Sequence, residues 1–281
     1  MSTTPQPLRQ IPRRKKWRRR FFRATIAAAI GIATLCAADQ IAIRLLPFPD
    51  AKLPRPAALI EDRNGIELAA FVNPNDDFFF PLTSDEISPH LKKAIIAVED
   101  RRFENHHGID WLSAGAAALQ DLRALSAKRG ASTLSMQVAR LRENQGHGWF
   151  DKPVQAFRAQ QLELHESKDE ILTEYINRAP FGGNLVGAGA ASWRYFGKAC
   201  RDLSLGQAAL LAGLPQSPTR FRPDKSPDLA RARRAHVLDQ MLATAAITQD
   251  DYTRALNEPL DLRSSSSGLP GSPFSPPRAP G

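Results

Sequence analysis

The sequence predicts a mainly α-helical domain that follows a single membrane-spanning helix and opens on a short β-hairpin. Three observations predict it. A basic N-terminal cluster runs into an apolar stretch. Two short β-type runs then flank an Asn-Gly turn. From Ser88 onward, apolar residues recur at helical spacing. Composition agrees, since 42% hydrophobic and 24% charged residues in a chain of 281 suffice for a packed core.

The first element is the anchor. The formal net charge is +9, yet nine of the 38 Lys and Arg residues lie in residues 1–23, where there is no acid. They are Arg9, Arg13, Arg14, Lys15, Lys16, Arg18, Arg19, Arg20 and Arg23. The remaining basic residues balance the 29 acidic ones. The body is therefore electrically neutral, and nucleic acid is not expected as a partner. Residues 24–38 carry no charge, and Ile41 to Leu46 extend the run past Asp39. A span needs roughly 20 apolar residues, and the flanking Arg23 and Arg44 can snorkel to the interfaces. We read 1–23 as a basic cytoplasmic tail and 24–46 as a transmembrane signal-anchor, with the body across the membrane. A cleaved signal peptide and a twin-arginine signal at 18–22 share this layout. The lack of a good small-x-small site favours the uncleaved anchor, and all three export the body.

Cys36 lies in the apolar run and Cys200 stands alone in the body, which excludes a disulfide framework and a cysteine-based zinc site. Residues 47–57 hold four prolines and read as an extended linker. The domain proper is expected over 58–262, and the Ser/Pro/Gly-rich 263–281 as a disordered tail. Its hairpin pairs 58–60 with 67–72 around Asn64-Gly65. Ser88 as cap and Pro89 at the first position start a helix. Leu91, Ile95, Val98 and Arg102 line one face of it, and Gly108 ends it. Further helices are expected near 109–125, 133–143, 153–166, 168–177, 185–196, 204–213 and 227–245.

Several segments could carry chemistry. Glu99 follows Ile95 by four residues, at the margin of the buried face, where partial desolvation raises a carboxyl toward a general base. The rival reading is a solvated helix-end acid. Gly130-Ala131-Ser132-Thr133 opens a helix whose N-terminus suits an anion, with Arg140 two turns along as a fixed cation. The rival is a well-capped helix. Lys152 and Lys168 fall near helix starts, against the dipole, as cations awaiting an anion or as ordinary surface lysines. Gly182, Gly183, Gly187 and Gly189 read as close helix packing. Residues 210–218 read as a buried helix stopped by Gly and Pro.

In series, these segments resemble the peptidoglycan glycosyltransferase domain of class A penicillin-binding proteins and monofunctional transglycosylases, glycosyltransferase family 51. The likeness covers about 58–245. The family's E-D-x-x-F-x-x-H-x-G stands here as Glu99, Asp100, Phe103, His106 and Gly108. G-x-S-T-x-x-x-Q stands as Gly130, Ser132, Thr133 and Gln137. K-x-x-I-L-x-x-Y-(L/I)-N stands as Lys168, Ile171, Leu172, Tyr175, Ile176 and Asn177. Residues 136–140 and 177–183 look most like the penicillin-binding protein 1C branch.

The resemblance implies a lysozyme-like helical fold. It also implies Glu99 as catalytic base, with a second catalytic position at Gln155. Substrate-binding roles fall to Asp100, Phe103, His106, Ser132, Thr133, Gln137, Arg140, Lys152, Arg158 and Lys168. The implied substrates are lipid II and the growing glycan strand at the membrane, with cell-wall synthesis proteins as candidate partners. No cofactor is certain; Mg or Mn at the diphosphate is the candidate, and no dedicated metal cage is visible.

The chain departs from the family at three points. Met136-Gln137 replaces a Gln-Gln pair, and Arg140-Leu141 a Lys-Asn. In R-K-x-x-E, Asp151 stands for the Arg and Gln155 for the acid. No Ser has Lys three residues later, so the S-x-x-K transpeptidase nucleophile is absent. The expectation is a monofunctional enzyme or a truncated 1C-type product. The rivals are a catalytically weak scaffold and a lytic enzyme.

Overall fold

The structure is a computed structural model, and it describes residues 13–49, 52–61, 63, 67–115, 132–143 and 151–263. The chain divides into two compact units, Met1–Pro47 and Phe48–Gly281.

The first unit is one helix, α1 (Arg13–Leu45). Within it, the 26 residues Arg20–Leu45 have a mean hydropathy of 1.8, long and apolar enough to cross a membrane. At ~1.5 Å per residue they reach about 39 Å, more than a hydrocarbon core of about 30 Å. Polar side chains here bond back to the helix. Thr25 and Thr34 donate to the carbonyls of Phe22 (2.8 Å) and Ile30 (2.9 Å), and Arg44 Nη1 to that of Gln40 (2.8 Å).

The second unit opens with the hairpin β1 (Ala58–Glu61) and β2 (Glu67–Phe71), paired Ala58 to Phe71 and Ile60 to Ala69. Its Asn64-Gly65 turn lies outside the described residues. Residues of the proline-rich stretch before it contact the body. Phe48 stacks on His165 at 4.8 Å, and the Ala57 amide donates to Phe79 O at 2.8 Å. A three-stranded sheet went unforeseen. It comprises β3 (Phe78–Phe79), β4 (Pro180–Gly182) and β5 (Leu185–Val186) in the order β3-β5-β4.

The helical body follows the periodicity closely. In α2 (Pro89–Glu99), Leu91, Ala94, Ile95 and Ala97 are buried. After it come α3 (Leu134–Arg142), α4 (Asp151–His165) and α5 (Lys168–Arg178). Next are α6 (Gly187–Phe196), α7 (Leu205–Gly213), α8 (Pro227–Ala243) and the unforeseen α9 (Gln249–Asn257). Local chemistry sets their starts. Thr133 caps α3, while Ser167, Ser204 and Thr248 form reciprocal capping boxes on α5, α7 and α9. The core helix is α7, buried from Gly206 to Gly213 and packed by α2 and α8.

Some expectations need correction. Helix α2 stops at Glu99, so Arg102 lies beyond it in a turn. Ser88 does hold the N-cap position with Pro89 first in the helix, but its hydroxyl donates to Leu203 O and makes no cap bond. Gly108 ends no helix. It sits at φ 84°, and a Cβ there would lie 2.7 Å from Gln160 N and 2.8 Å from Ala159 C, so α4 passes too close for any side chain. Of the helix expected at 109–125, residues 111–115 are helical and 116–125 lie outside the described residues, as do 264–281 of the tail. The glycines of 182–189 do serve close packing. Cβ atoms at Gly187 and Gly189 would meet Asn177 O at 2.7 Å and Phe80 O at 2.3 Å.

Candidate active site

The site grows from the end of α2. Glu99 is its last residue, where the helix carbonyls already disfavour an anion. The next residue, Asp100, is buried. Its Oδ2 accepts the Leu134 amide at the start of α3 (2.9 Å) and pairs with His106 Nε2 (2.9 Å). A carboxylate at a helix N-terminus is favourable, so this contact docks the turn on α3. Thr133 reinforces the joint, its hydroxyl donating to Gly108 O (2.6 Å) and accepting the Met136 amide (3.2 Å).

Glu99 is thereby aimed across α3. Its Oε2 accepts Gln137 Nε2 at 3.0 Å. Burial pushes its carboxyl above the usual range. The Gln137 hydrogen bond and the charges of Arg233 and Arg140 pull it down, and Asp100 pushes it up. Tyr175, fully buried on α5, shares this field. Burial first, and then Glu99, lift its hydroxyl well above the ordinary tyrosine value. The result is an acid that can take a proton, facing an amide and a cation on one helix.

The other expected site residues sort into two groups. Lys168 already has partners within the fold. Its Nζ donates to Glu163 Oε1 (2.7 Å) and His106 O (2.7 Å) and lies 4.4 Å from the centre of the Phe103 ring. Ser135 Oγ bonds the same Glu163 oxygen at 2.5 Å. Asp100, Phe103, His106, Thr133 and Lys168 are thus the frame that holds the 100–108 turn. Buried His106 Nδ1 has no hydrogen-bond partner among the described residues.

Along α4, Lys152 is exposed and Gln155 buried, while Arg158 Nε lies 3.0 Å from Glu143. Ser132 stands half-buried just before the α3 cap. None of these four is among the groups acting most strongly on Glu99. A separate cavity of about 520 Å³ lies at the other end of α2, beside His90, Lys93 and Arg254. Glu99 does not line it, and the Glu258 carboxylate that does is taken by Ser204 and the Gly206 amide.

Sequence reasoning passed over Arg233 and named Tyr175 only within a motif. The signal for Arg233 was present. In α8, Ala230, Val237, Leu238 and Met241 form a helical stripe, and Arg233 and Arg234 fall within it.

Comparison with known proteins now decides the family. A match to the transglycosylase family covers residues 67–242. The chain belongs to the transglycosylase family. It is 42% identical over 238 residues to penicillin-binding protein 1C of Escherichia coli K12, covering 85% of this chain and 30% of that protein. It is 33% identical to penicillin-binding protein 2D of Bacillus subtilis, covering 86% of this chain and 34% of that one. Against solved structures, it is similar to penicillin-binding protein 1A of Haemophilus influenzae, with 21% identity and a TM-score of 0.45 over 76% of this chain and 22% of that one. The chain thus spans about a third of the length of these two curated relatives.

Proposed function

We propose that this chain is a membrane-anchored peptidoglycan glycosyltransferase that polymerises lipid II. The observation that carries this reading is the half-buried Glu99, its carboxyl lifted by burial and faced by Gln137 and Arg140 of α3. In the proposed reaction, Glu99 takes the proton from the 4-hydroxyl of the acceptor GlcNAc as that oxygen attacks C1 of the donor MurNAc. The C1–O bond to the diphosphate breaks, the anomeric centre inverts from α to β, and undecaprenyl diphosphate departs. Ser132, Arg140 and Lys152 take the negative charge that grows on it. Gln155 cannot serve as a base and holds a sugar or phosphate group by hydrogen bonds.

A divalent ion, Mg or Mn, would be held chiefly by the substrate's diphosphate, since no group of three or more His, Cys, Asp or Glu side chains able to hold an ion is found among the described residues. The cation-rich residues 1–23, which precede the apolar part of α1, support a cytoplasmic start and a periplasmic body. Both substrates carry lipid tails, so an anchor confines the enzyme to their surface. A second reading, a catalytically weak scaffold for cell-wall synthesis, draws on Gln155 and Asp151, where the family carries an acid and a cation. Incubating wild type and Glu99→Gln with purified lipid II tests both. Strand growth that depends on Glu99 supports the enzyme, and no growth by the wild type supports the scaffold.

A further inference from the structure

Two guanidiniums interrupt the apolar stripe of α8, and they have different partners. Arg234 donates to the last carbonyls around α9, through Nη1 to Glu258 O (2.7 Å) and Nη2 to Leu256 O (3.0 Å). That is ordinary helix capping. Arg233 Nε donates to Gly213 O (3.0 Å) at the end of α7, and its guanidinium lies 5.6 Å from the centre of the Phe221 ring. A helix C-terminus and an aromatic face both favour a cation.

The sequence is built to admit this side chain, since a Cβ at Gly213 would lie 2.7 Å from Arg233 Cγ. Arg233 is 9% exposed, and among the described residues no carboxylate pairs with it directly. A buried cation without a counter-charge is strongly unfavourable. The carboxylate whose charge acts on it is that of Glu99, at the end of the helix against which α8 packs.

We propose that Arg233 is a positioning residue for the base, a fixed buried cation that keeps the Glu99 carboxylate ionised and ready to accept a proton. The proposal rests on the reading of Glu99 as base. The groups facing Glu99 are Gln137 and Arg140 from α3, Tyr175 from α5, Arg233 from α8 and its neighbour Asp100. The sequence of α7, Leu-Gly-Gln-Ala-Ala-Leu-Leu-Ala-Gly, brings no ionisable side chain. Arg140 is half-buried and, in the proposed reaction, answers to the diphosphate. Arg233 is buried and held by Gly213 O, so in the proposed reaction its field on Glu99 stays constant through the cycle.

The test is the pH profile of kcat/KM for lipid II polymerisation by the full chain, with Arg233→Met and Arg233→Lys beside the wild type. For Arg233→Met, we expect the acid limb to move up by about one pH unit, a roughly tenfold loss below the limb, with the high-pH plateau within about threefold. Arg233→Lys should fall between the two. A purely structural residue would lower the rate equally at every pH, and an unmoved limb with a lowered plateau overturns the proposal. Should Arg233→Met fail to fold, Arg233→Lys decides by the same limb-against-plateau criterion. Glu99→Gln is run alongside. If it retains activity, the base reading falls and this proposal with it. If it is inactive while the Arg233→Met limb stays put, only the role of Arg233 is lost.

Discussion

Lys92 and Glu99 stand on the same helix, α2, and the chain treats them in opposite ways. Lys92 Nζ bonds Asp169 Oδ1 at 2.7 Å and Ser84 Oγ at 2.5 Å. Hydrogen bonds from Lys92 and Ser84 hold the Asp169 carboxyl below its ordinary range. Glu99 has one neutral hydrogen-bond donor, Gln137, and cations that act on it without direct pairing, so burial wins and its carboxyl rises. One end of the helix has a satisfied pair, which fixes α2 to α5. The other end keeps a charge short of full compensation, which is the condition a proton acceptor needs.

Four substitutions would break or sharpen this contrast. Glu99→Gln should have the largest effect, lowering lipid II polymerisation by about a thousandfold with an unchanged far-ultraviolet spectrum. The same variant carries a pH signature. A raised folded-state carboxyl contributes stability below the unfolded value, and that contribution is lost as pH rises through the folded one. Removing the charge should therefore raise Tm relative to wild type at neutral pH. The gap should close by about pH 4, near the ordinary glutamate value. A gap independent of pH would contradict the raised carboxyl.

Asp100→Ala should come next. It strands the Leu134 amide and removes the partner of His106, for about 3 kcal/mol in urea unfolding. Gly108→Ala should destabilise by about 2 kcal/mol or more, because φ is left-handed and the α4 backbone blocks the methyl. Lys92→Met should be smallest. Asp169 is 56% exposed, so the pair is discounted to less than about 1 kcal/mol, and turnover should not change. A large activity loss in that variant would erase the distinction between the two ends.

The framework was largely legible because the chain punctuates its own helices. Ser88-Pro89 and Ser132-Thr133 announce α2 and α3 in sequence, and the spacing of Ile95 and Glu99 locates the acid at the edge of the core. What escaped was long-range or too short to be periodic. The two-residue strands of the small sheet have no pattern to read, and in α9 only Ala255 is fully buried. Lys168 looked like an uncommitted cation because one of its partners, the His106 carbonyl, lies 62 residues away. Gly108 looked like a helix stop because a Gly after an amphipathic run usually is one. Its real constraint is the passage of α4, set about fifty residues downstream, which local sequence cannot express.

The docking of Asp100 on the first amide of α3 has a mechanical consequence. The acid and the residues opposite it belong to one rigid piece, so a shift of α3 carries Glu99 with it. The gap between proton acceptor and cationic arm therefore behaves as a fixed gauge. In the proposed reaction, that spacing itself would limit the size of the acceptor.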